Sequence, residues 1–263
     1  MKIAVCLKQV PDTTELRLDP KTNTLIREGV EAVLNPLDEF PLEAALRLRT
    51  ATGGTVTAVT MGPPQAARVL DRAVAMGADD GVLVSDRAFA GADTWATSLT
   101  LARTLERLGP FDLILCGKQA IDGDTAQVGP GIAAHLRIPQ VTYVTAIRLA
   151  GDGLEVERLL EHGTATYRVQ LPALLTVLKE ANEPRLPTLG GRLRALRHQV
   201  RRVDAAAIGL EPAAVGLSGS PTRVVSVAVP QTSRQRLRLD GAPTESVHRL
   251  IAELGKRGFG GGR

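Results

Sequence analysis

The residues best placed to do chemistry lie between positions 112 and 139, which read DLILCGKQAIDGDTAQVGPGIAAHLRIP. Asp112–Cys116 is a short apolar run that reads as a buried strand. It leads into a loop carrying Gly117, Gly123 and Gly129, then a helical pattern with Ala126, Ile132, Ala133 and Leu136 as its apolar face. Strand, glycine-bearing loop and helix is an arrangement that holds nucleotide phosphates. Glycine lets the backbone approach the ligand, and the free N–H groups of the first helical turn point at the anion. Asp124 and Thr125 are expected to cap the helix or to bond a ribose or phosphate. Lys118 adds a point charge, suited to a diphosphate but not a bidentate clamp. The chain has neither G-x-x-x-x-G-K-S/T nor a G-x-G-x-x-G after its first strand, so a P-loop and an ordinary dinucleotide fold are both disfavoured. From the loop alone, nucleotide binding and a plain strand-to-helix connection stand level.

The elements around the loop alternate. Lys2–Leu7, Thr55–Met61, Gly81–Ser85 and Asp112–Cys116 read as strands. Between them run three helical patterns. The first starts at Pro36 and Asp38 and passes through Leu42, Ala45, Leu46 and Arg49, with Pro41 tolerable in its first turn. The second follows Gly62-Pro63-Pro64 and ends near Gly77; the third is capped by Asp93 and stopped by Gly109-Pro110. Such alternation predicts an α/β fold: an open, mostly parallel sheet with helices on both faces, Rossmann-like in layout. After Pro139 come Val141–Leu149, Leu154–Leu160, Thr164–Gln170 and Leu174–Leu178, with Gly151-Asp152-Gly153 and His162-Gly163 marking hairpins that extend the sheet. The pattern divides the chain into a nucleotide-binding domain over residues 1–182 and an extended C-terminal arm over 183–263. The arm closes with an amphipathic helix, Glu245–Lys256, whose Val247, Leu250, Ile251 and Leu254 share a face. That face calls for a partner surface, or for its own domain.

In open α/β sheets, ligands bind at the carboxyl ends of strands where the strand order reverses. If the first and fourth strands are central neighbours, the crevice lies between Cys6–Gln9 and Cys116–Asp124, with Met61, Gly62 and Pro63 as its rim. The loop and the crevice then coincide, which favours nucleotide binding.

Composition narrows the remaining classes. The formal net charge is only +4. Arg185, Arg192, Arg194, Arg197, Arg201 and Arg202 cluster in a stretch with one acid, Glu183, and no aromatic residue, so a single-strand binder that stacks bases is disfavoured. Cys6 and Cys116 are the only cysteines, both in apolar runs, and read as reduced core thiols. His162, His198 and His248 show no metal spacing. The start of the chain turns polar after seven residues, unlike a signal peptide, and no run approaches the ~18 apolar residues of a membrane span. A soluble, cytoplasmic protein with no membrane insertion and no nucleic-acid partner is expected.

Several motifs together resemble the beta subunit of electron transfer flavoproteins. They are MKIAVCLKQVPDTTELRLDP, Asn35-Pro36, VTAVTMGPPQA, AMGADDGVLVSDRAFAGADTWATS, CGKQAIDGDTAQVGP, NEPR and the segment VGLSGSPT at 215–222. The resemblance implies a heterodimer in which an alpha subunit carries most of an FAD site and the beta arm embraces alpha. In the housekeeping type, which takes electrons from acyl-CoA dehydrogenases, beta holds a structural AMP. In the bifurcating type, beta holds a second FAD that accepts hydride from NADH. The family's AMP contacts carry over to Cys6, Asn35, Pro36, Leu37, Asp38 and Met61. They carry over also to Gly117, Lys118, Gln119, Ala120, Ile121, Asp122, Gly123, Asp124, Thr125, Ala126, Gln127 and Val128. MGPPQA, DRAFAGADTWATS, AIDGDTAQVGP and GLSGSPT resemble the bifurcating group more closely, whereas Lys118 and NEPR followed by LPTL resemble the housekeeping type. Asp93 and Trp95 read as an N-cap followed by a core aromatic. Leu189 aligns with the leucine that anchors dehydrogenases, ringed by charge suited to a transient contact. No nucleophile or acid–base pair stands out, so redox chemistry would belong to flavin. The rival is a nucleotide-binding sensor or ligase-like protein of the same fold, disfavoured because no S-G-G-x-D-S follows the first strand.

Overall fold

The computed structural model describes residues 1–12, 32–226 and 236–259. Residues 13–20 of the opening motif, and 227–235 and 260–263 of the expected arm, lie outside the described residues. The described chain forms two compact units, 1–225 and 226–263.

In the first unit, β1 (Lys2–Leu7) is followed by a short antiparallel ladder of β2 (Gln9–Pro11) with β3 (Ala32–Leu34). A single turn over Pro36–Asp38 leads into α1 (Glu39–Thr52), then β4 (Thr55–Met61), α2 (Ala67–Met76) and β5 (Asp80–Val84). Gly53 and Gly77 end the two helices at φ 73° and 138°, where a side chain would be strained. Next come α3 (Thr94–Leu108), β6 (Leu113–Gly117) and α4 (Val128–Leu136). The chain continues through β7 (Gln140–Ala150), β8 (Gly153–Leu160), β9 (Gly163–Val169) and β10 (Ala173–Val177), then α5 (Leu189–Arg197) and β11 (Arg201–Val203).

Among the described residues the main sheet has the order β11-β5-β4-β1-β6-β10-β7-β8-β9. It is parallel from β11 to β7, and the β7–β8–β9 hairpins add antiparallel strands, as the sequence predicts. Unforeseen is β10, which slips between β6 and β7 and runs parallel to both. Two apolar layers sandwich the sheet. Leu42, Leu46, Val69 and Leu70 of α1 and α2 fill one; Leu101, Leu105, Ile132 and Ala133 of α3 and α4 fill the other. Helices on both faces and buried strands β1, β4 and β6 make the predicted doubly covered sheet.

The stretch beyond residue 182 gives more to this unit than a coreless arm would: Val203, Ala205, Ile208 and Val215 complete the α3/α4 layer. In the second unit, α6 (Pro243–Lys256) exposes Val247, Leu250, Ile251 and Leu254. No helix among the described residues is long and apolar enough to cross a membrane, and no cluster of metal-ligating side chains occurs among them.

Candidate functional site

The strand order reverses at β1: the chain first builds outward through β4 and β5, then crosses to β6 on the other side. Cys6 of β1 lies directly opposite Cys116 of β6. Both thiols are buried, and the hydrogen bond with Cys6, reinforced by burial, pushes the Cys116 thiol up. Past them the two strands end, and Asp38 braces the gap. Its carboxylate accepts the Lys8 N–H at 2.7 Å and the N–H of Gly117. Gly117 has to be glycine here, because a Cβ would overlap the Asp38 carboxylate and sit 2.8 Å from the Leu37 carbonyl oxygen. Burial drives the Asp38 pKa to about 7 from 3.8, against the hydrogen bonds that favour the charge and the attraction of Lys8.

Asn35, wholly buried, is the second brace. Its N–H donates to the Lys8 carbonyl at 2.8 Å. Its side chain donates to the Gln119 carbonyl at 2.9 Å and accepts the Ile121 N–H at 3.3 Å. Thus the turn Asn35-Pro36-Leu37-Asp38 fixes both the end of β1 and the first half of the 117–128 loop. Lys8, inside the expected Cys6–Gln9 edge but not singled out as a contact, closes the rim with a 2.7 Å ion pair to Asp122.

The second half of the loop has a different construction. Asp124 and Ala126 adopt left-handed φ values of 48° and 54°. Left-handed residues alternating with right-handed ones turn successive N–H groups to one side, forming an anion-binding concavity. The backbone N–H groups of Thr125, Ala126, Gln127, Val128 and Gly129 make no hydrogen bond among the described residues. α4 starts at Val128, three residues later than a cap at Asp124 would place it and two later than one at Thr125, and its N-cap, Gln127, makes no side-chain cap. The expected capping is therefore corrected. The Asp124 carboxylate instead accepts the Gln119 side-chain amide at 2.7 Å, and Ala126 lies outside the helix rather than on its apolar face. The loop's carboxylates Asp122 and Asp124 are thus each held by a donor of the chain itself. Gly123 has open space where a Cβ would be, whereas a Cβ on Gly129 would press within 2.8 Å of Thr176. Lys118 points its ammonium at the Tyr143 ring, 5.5 Å from the centroid.

Met61 ends β4 level with Lys8, since Leu7 pairs with Thr60, and so forms the opposite rim as expected. Cys6, Asn35 through Asp38, Met61 and the loop from Gly117 to Val128 therefore gather around one crevice. Beside it, Thr94 at the start of α3 donates to the Gln127 side-chain oxygen at 3.2 Å. Asp93 caps α3 through Ala96 N–H at 3.0 Å, as predicted. Its other oxygen accepts the N–H and hydroxyl of Thr222 at 3.0 and 2.7 Å, and its own N–H donates to Ser220 at 2.8 Å. These bonds hold the carboxylate below its ordinary range, although partial burial opposes them. DRAFAGADTWATS and GLSGSPT, far apart in sequence, are thereby one tied structure. Trp95 is not the core aromatic that was expected. It is 57% exposed and meets His135 edge-on at 4.8 Å, because its place in the first turn of α3 leaves it above the layer that Leu101 and Leu105 fill.

Leu189 stands apart from the crevice, at the head of α5. Leu186, Leu189, Leu193 and Leu196 are all exposed, interleaved with Arg192, Arg194 and Arg197. The NEPR motif before them is clamped to α1. Asn182 donates to the Phe40 carbonyl at 3.0 Å, and Arg185 meets the buried Glu43 with bonds of 2.7 and 3.1 Å. Burial pushes Glu43 up, but Arg185 and Arg47 outweigh it and hold the carboxyl below its ordinary range.

The description of an electron transfer flavoprotein domain matches residues 22–208. The chain is 48% identical over 258 residues to an electron transfer flavoprotein subunit beta of Thermoanaerobacterium thermosaccharolyticum, covering 98% of this chain and 99% of the relative. It is 52% identical over 225 residues to the caffeyl-CoA reductase–Etf complex subunit CarD of Acetobacterium woodii, covering 85% and 86%. Against protein FixA of Azotobacter vinelandii it is 45% identical over 265 residues, covering 97% and 94%. Similarity of this extent, joined to the doubly wound sheet and the loop at its switch point, places the chain among the beta subunits of the electron transfer flavoprotein family.

Proposed function

We propose that the chain pairs with an electron transfer flavoprotein alpha subunit, shares that subunit's FAD, and holds a second FAD in the β1–β6 crevice that takes hydride from NADH. The run of N–H groups from Thr125 to Gly129, unpaired among the described residues and at the switch point of the sheet, carries the nucleotide reading. Such donors are costly to leave bare and match a phosphate or diphosphate. A bound flavin would supply the redox chemistry. The chain's own part is to bind and orient: the N–H cradle takes the phosphates, Asn35 and Asp38 fix the crevice floor, and Met61 forms a pliable rim.

The choice of FAD rests on the bifurcating-type motifs and on the open space beside Gly123, where a diphosphate needs room. Leu189 and its neighbours on α5 would meet an acyl-CoA dehydrogenase-type flavoenzyme. An apolar face ringed by arginines suits a brief, charge-steered contact. The relative in a caffeyl-CoA reductase–Etf complex supports a partner acting on CoA esters. The reading places the protein in the cytoplasm. A second reading, structural AMP in beta, draws on Lys118 and on NEPR followed by LPTL.

The deciding experiment is to purify the chain with its alpha subunit and count nucleotides. Two FAD per heterodimer, with bleaching by NADH alone, is expected. One FAD and one AMP, without bleaching but with rapid reduction by an acyl-CoA dehydrogenase and its substrate, would establish the housekeeping carrier instead. Nucleotide without any flavin would leave a sensor of the same fold.

A further inference from the structure

α5 looks like an appendage in the sequence, yet it is fastened along its whole length. Before it, Arg185 is bonded to Glu43, and the Arg47 guanidinium donates to the Glu183 carbonyl at 3.1 Å. At its start the Thr188 hydroxyl accepts the Gly191 N–H at 3.0 Å. In its middle a Cβ on Gly191 would run into the carbonyl oxygen of Ala75, so the backbones of α5 and α2 touch there without any side chain between them. One turn on, Arg194 donates to the Val74 carbonyl at 2.7 Å, serving a carbonyl at the C-terminal end of α2. After the helix, His198 lies 3.2 Å from Asp80, and β11 adds to β5.

A nine-residue helix is marginal on its own, so this anchoring is what holds α5 in place. It also leaves the leucines out: Leu189 is 76% exposed and Leu196 83%. We propose that Gly191, Arg194 and the Arg185–Glu43 pair are positioning residues, which set α5 in advance as a rigid platform presenting Leu189, Leu193 and Leu196 to the electron-transfer partner. The inference rests on the reading of α5 as the docking face. A platform ordered beforehand spares the encounter the entropy of ordering a loop, which favours a fast, short-lived contact.

Two measurements on the heterodimer test it. The first is amide hydrogen exchange across α5, which involves no partner. Slow exchange is expected in the wild type and fast exchange in Gly191→Ala, with α4 unaffected; equally fast exchange in both overturns the inference. The second is a double-mutant cycle read as KM and kcat with an acyl-CoA dehydrogenase. Gly191→Ala and Leu189→Ala should each raise KM by about tenfold at unchanged kcat, and the double variant should match Leu189→Ala alone. Additive effects, or a loss confined to kcat, overturn it. Arg194→Met, which inserts no atom against α2, should behave as a weaker Gly191→Ala and serves should that variant not fold. If Leu189→Ala has no effect, the docking reading fails, and the exchange result alone then decides whether α5 is pre-set.

Discussion

Asp38 offers the sharpest test of the crevice, and Asp38→Asn is the variant to make. The carboxyl is buried between the ends of β1 and β6, and burial raises its pKa from 3.8 to about 7. At roughly 1.4 kcal/mol per tenfold change in proton affinity, that rise amounts to about 4 kcal/mol. The sign follows from linkage. Between pH 4 and 7 the folded chain keeps a proton that the unfolded chain has released. Stability therefore falls as pH rises through that interval and levels off above about 7. Of the total, roughly 2–3 kcal/mol should be lost between about pH 5 and pH 8. In Asp38→Asn this contribution vanishes, while an amide oxygen remains to accept the Lys8 N–H. Urea unfolding of the purified heterodimer across that range, followed for both proteins, gives the difference directly. The variant should lose less stability than the wild type on going from pH 5 to pH 8. Parallel pH profiles would mean that Asp38 does not titrate in this window, and the account of a desolvated brace would be wrong.

Three further outcomes are expected. Gly123→Val should change the unfolding free energy by less than about 0.5 kcal/mol, because its Cβ meets nothing, yet lower the nucleotide that co-purifies with beta; full nucleotide content would remove Gly123 from the site. Asp124→Ala should leave the helicity of α4 unchanged in exchange measurements, since Asp124 bonds Gln119 rather than the helix; a frayed first turn of α4 would restore the capping role. Arg185→Met should cost about 1–2 kcal/mol, because it leaves the buried Glu43 carboxylate to Arg47 alone, and Glu43→Gln should cost less, a ranking that thermal melts can reverse.

The sequence was most legible where local chemistry decides. The apolar runs of β1, β4, β5 and β6, the Asp93 cap and the glycines at 53 and 77 act through a few adjacent residues, and such signals survive in a single chain. The neighbouring of β1 and β6 was only a supposition in the sequence reading, and the observed strand order bears it out. What escaped were pairings over long separations. β10 reads like any other strand after Pro139, and only the competition for the open edge of β6 decides that it runs parallel there. Val203, Ala205, Ile208 and Val215 have no regular spacing, so their burial left no period to read. In the loop, helical periodicity extended too far back. Left-handed backbone at Asp124 and Ala126 interrupts it, and neither residue type announces that conformation as glycine would.

The place of β10 bears on how the chain is made. β6 lies at the heart of the sheet, but the strand that covers its outer edge arrives some way later in the sequence, after the whole β7–β9 hairpin set. As the polypeptide leaves the ribosome, Leu113–Cys116 can pair with β1 at once, while the opposite edge stays open until residues 173–177 emerge. Synthesis at about 5–20 residues per second makes that a delay of seconds, long for an apolar strand with unpaired amides. The hazard in biogenesis is therefore the centre of the β1–β6 crevice itself. Slow codons or a truncation between β6 and β10 should favour aggregates, whereas a break after β10 should leave a sheet with its middle already closed.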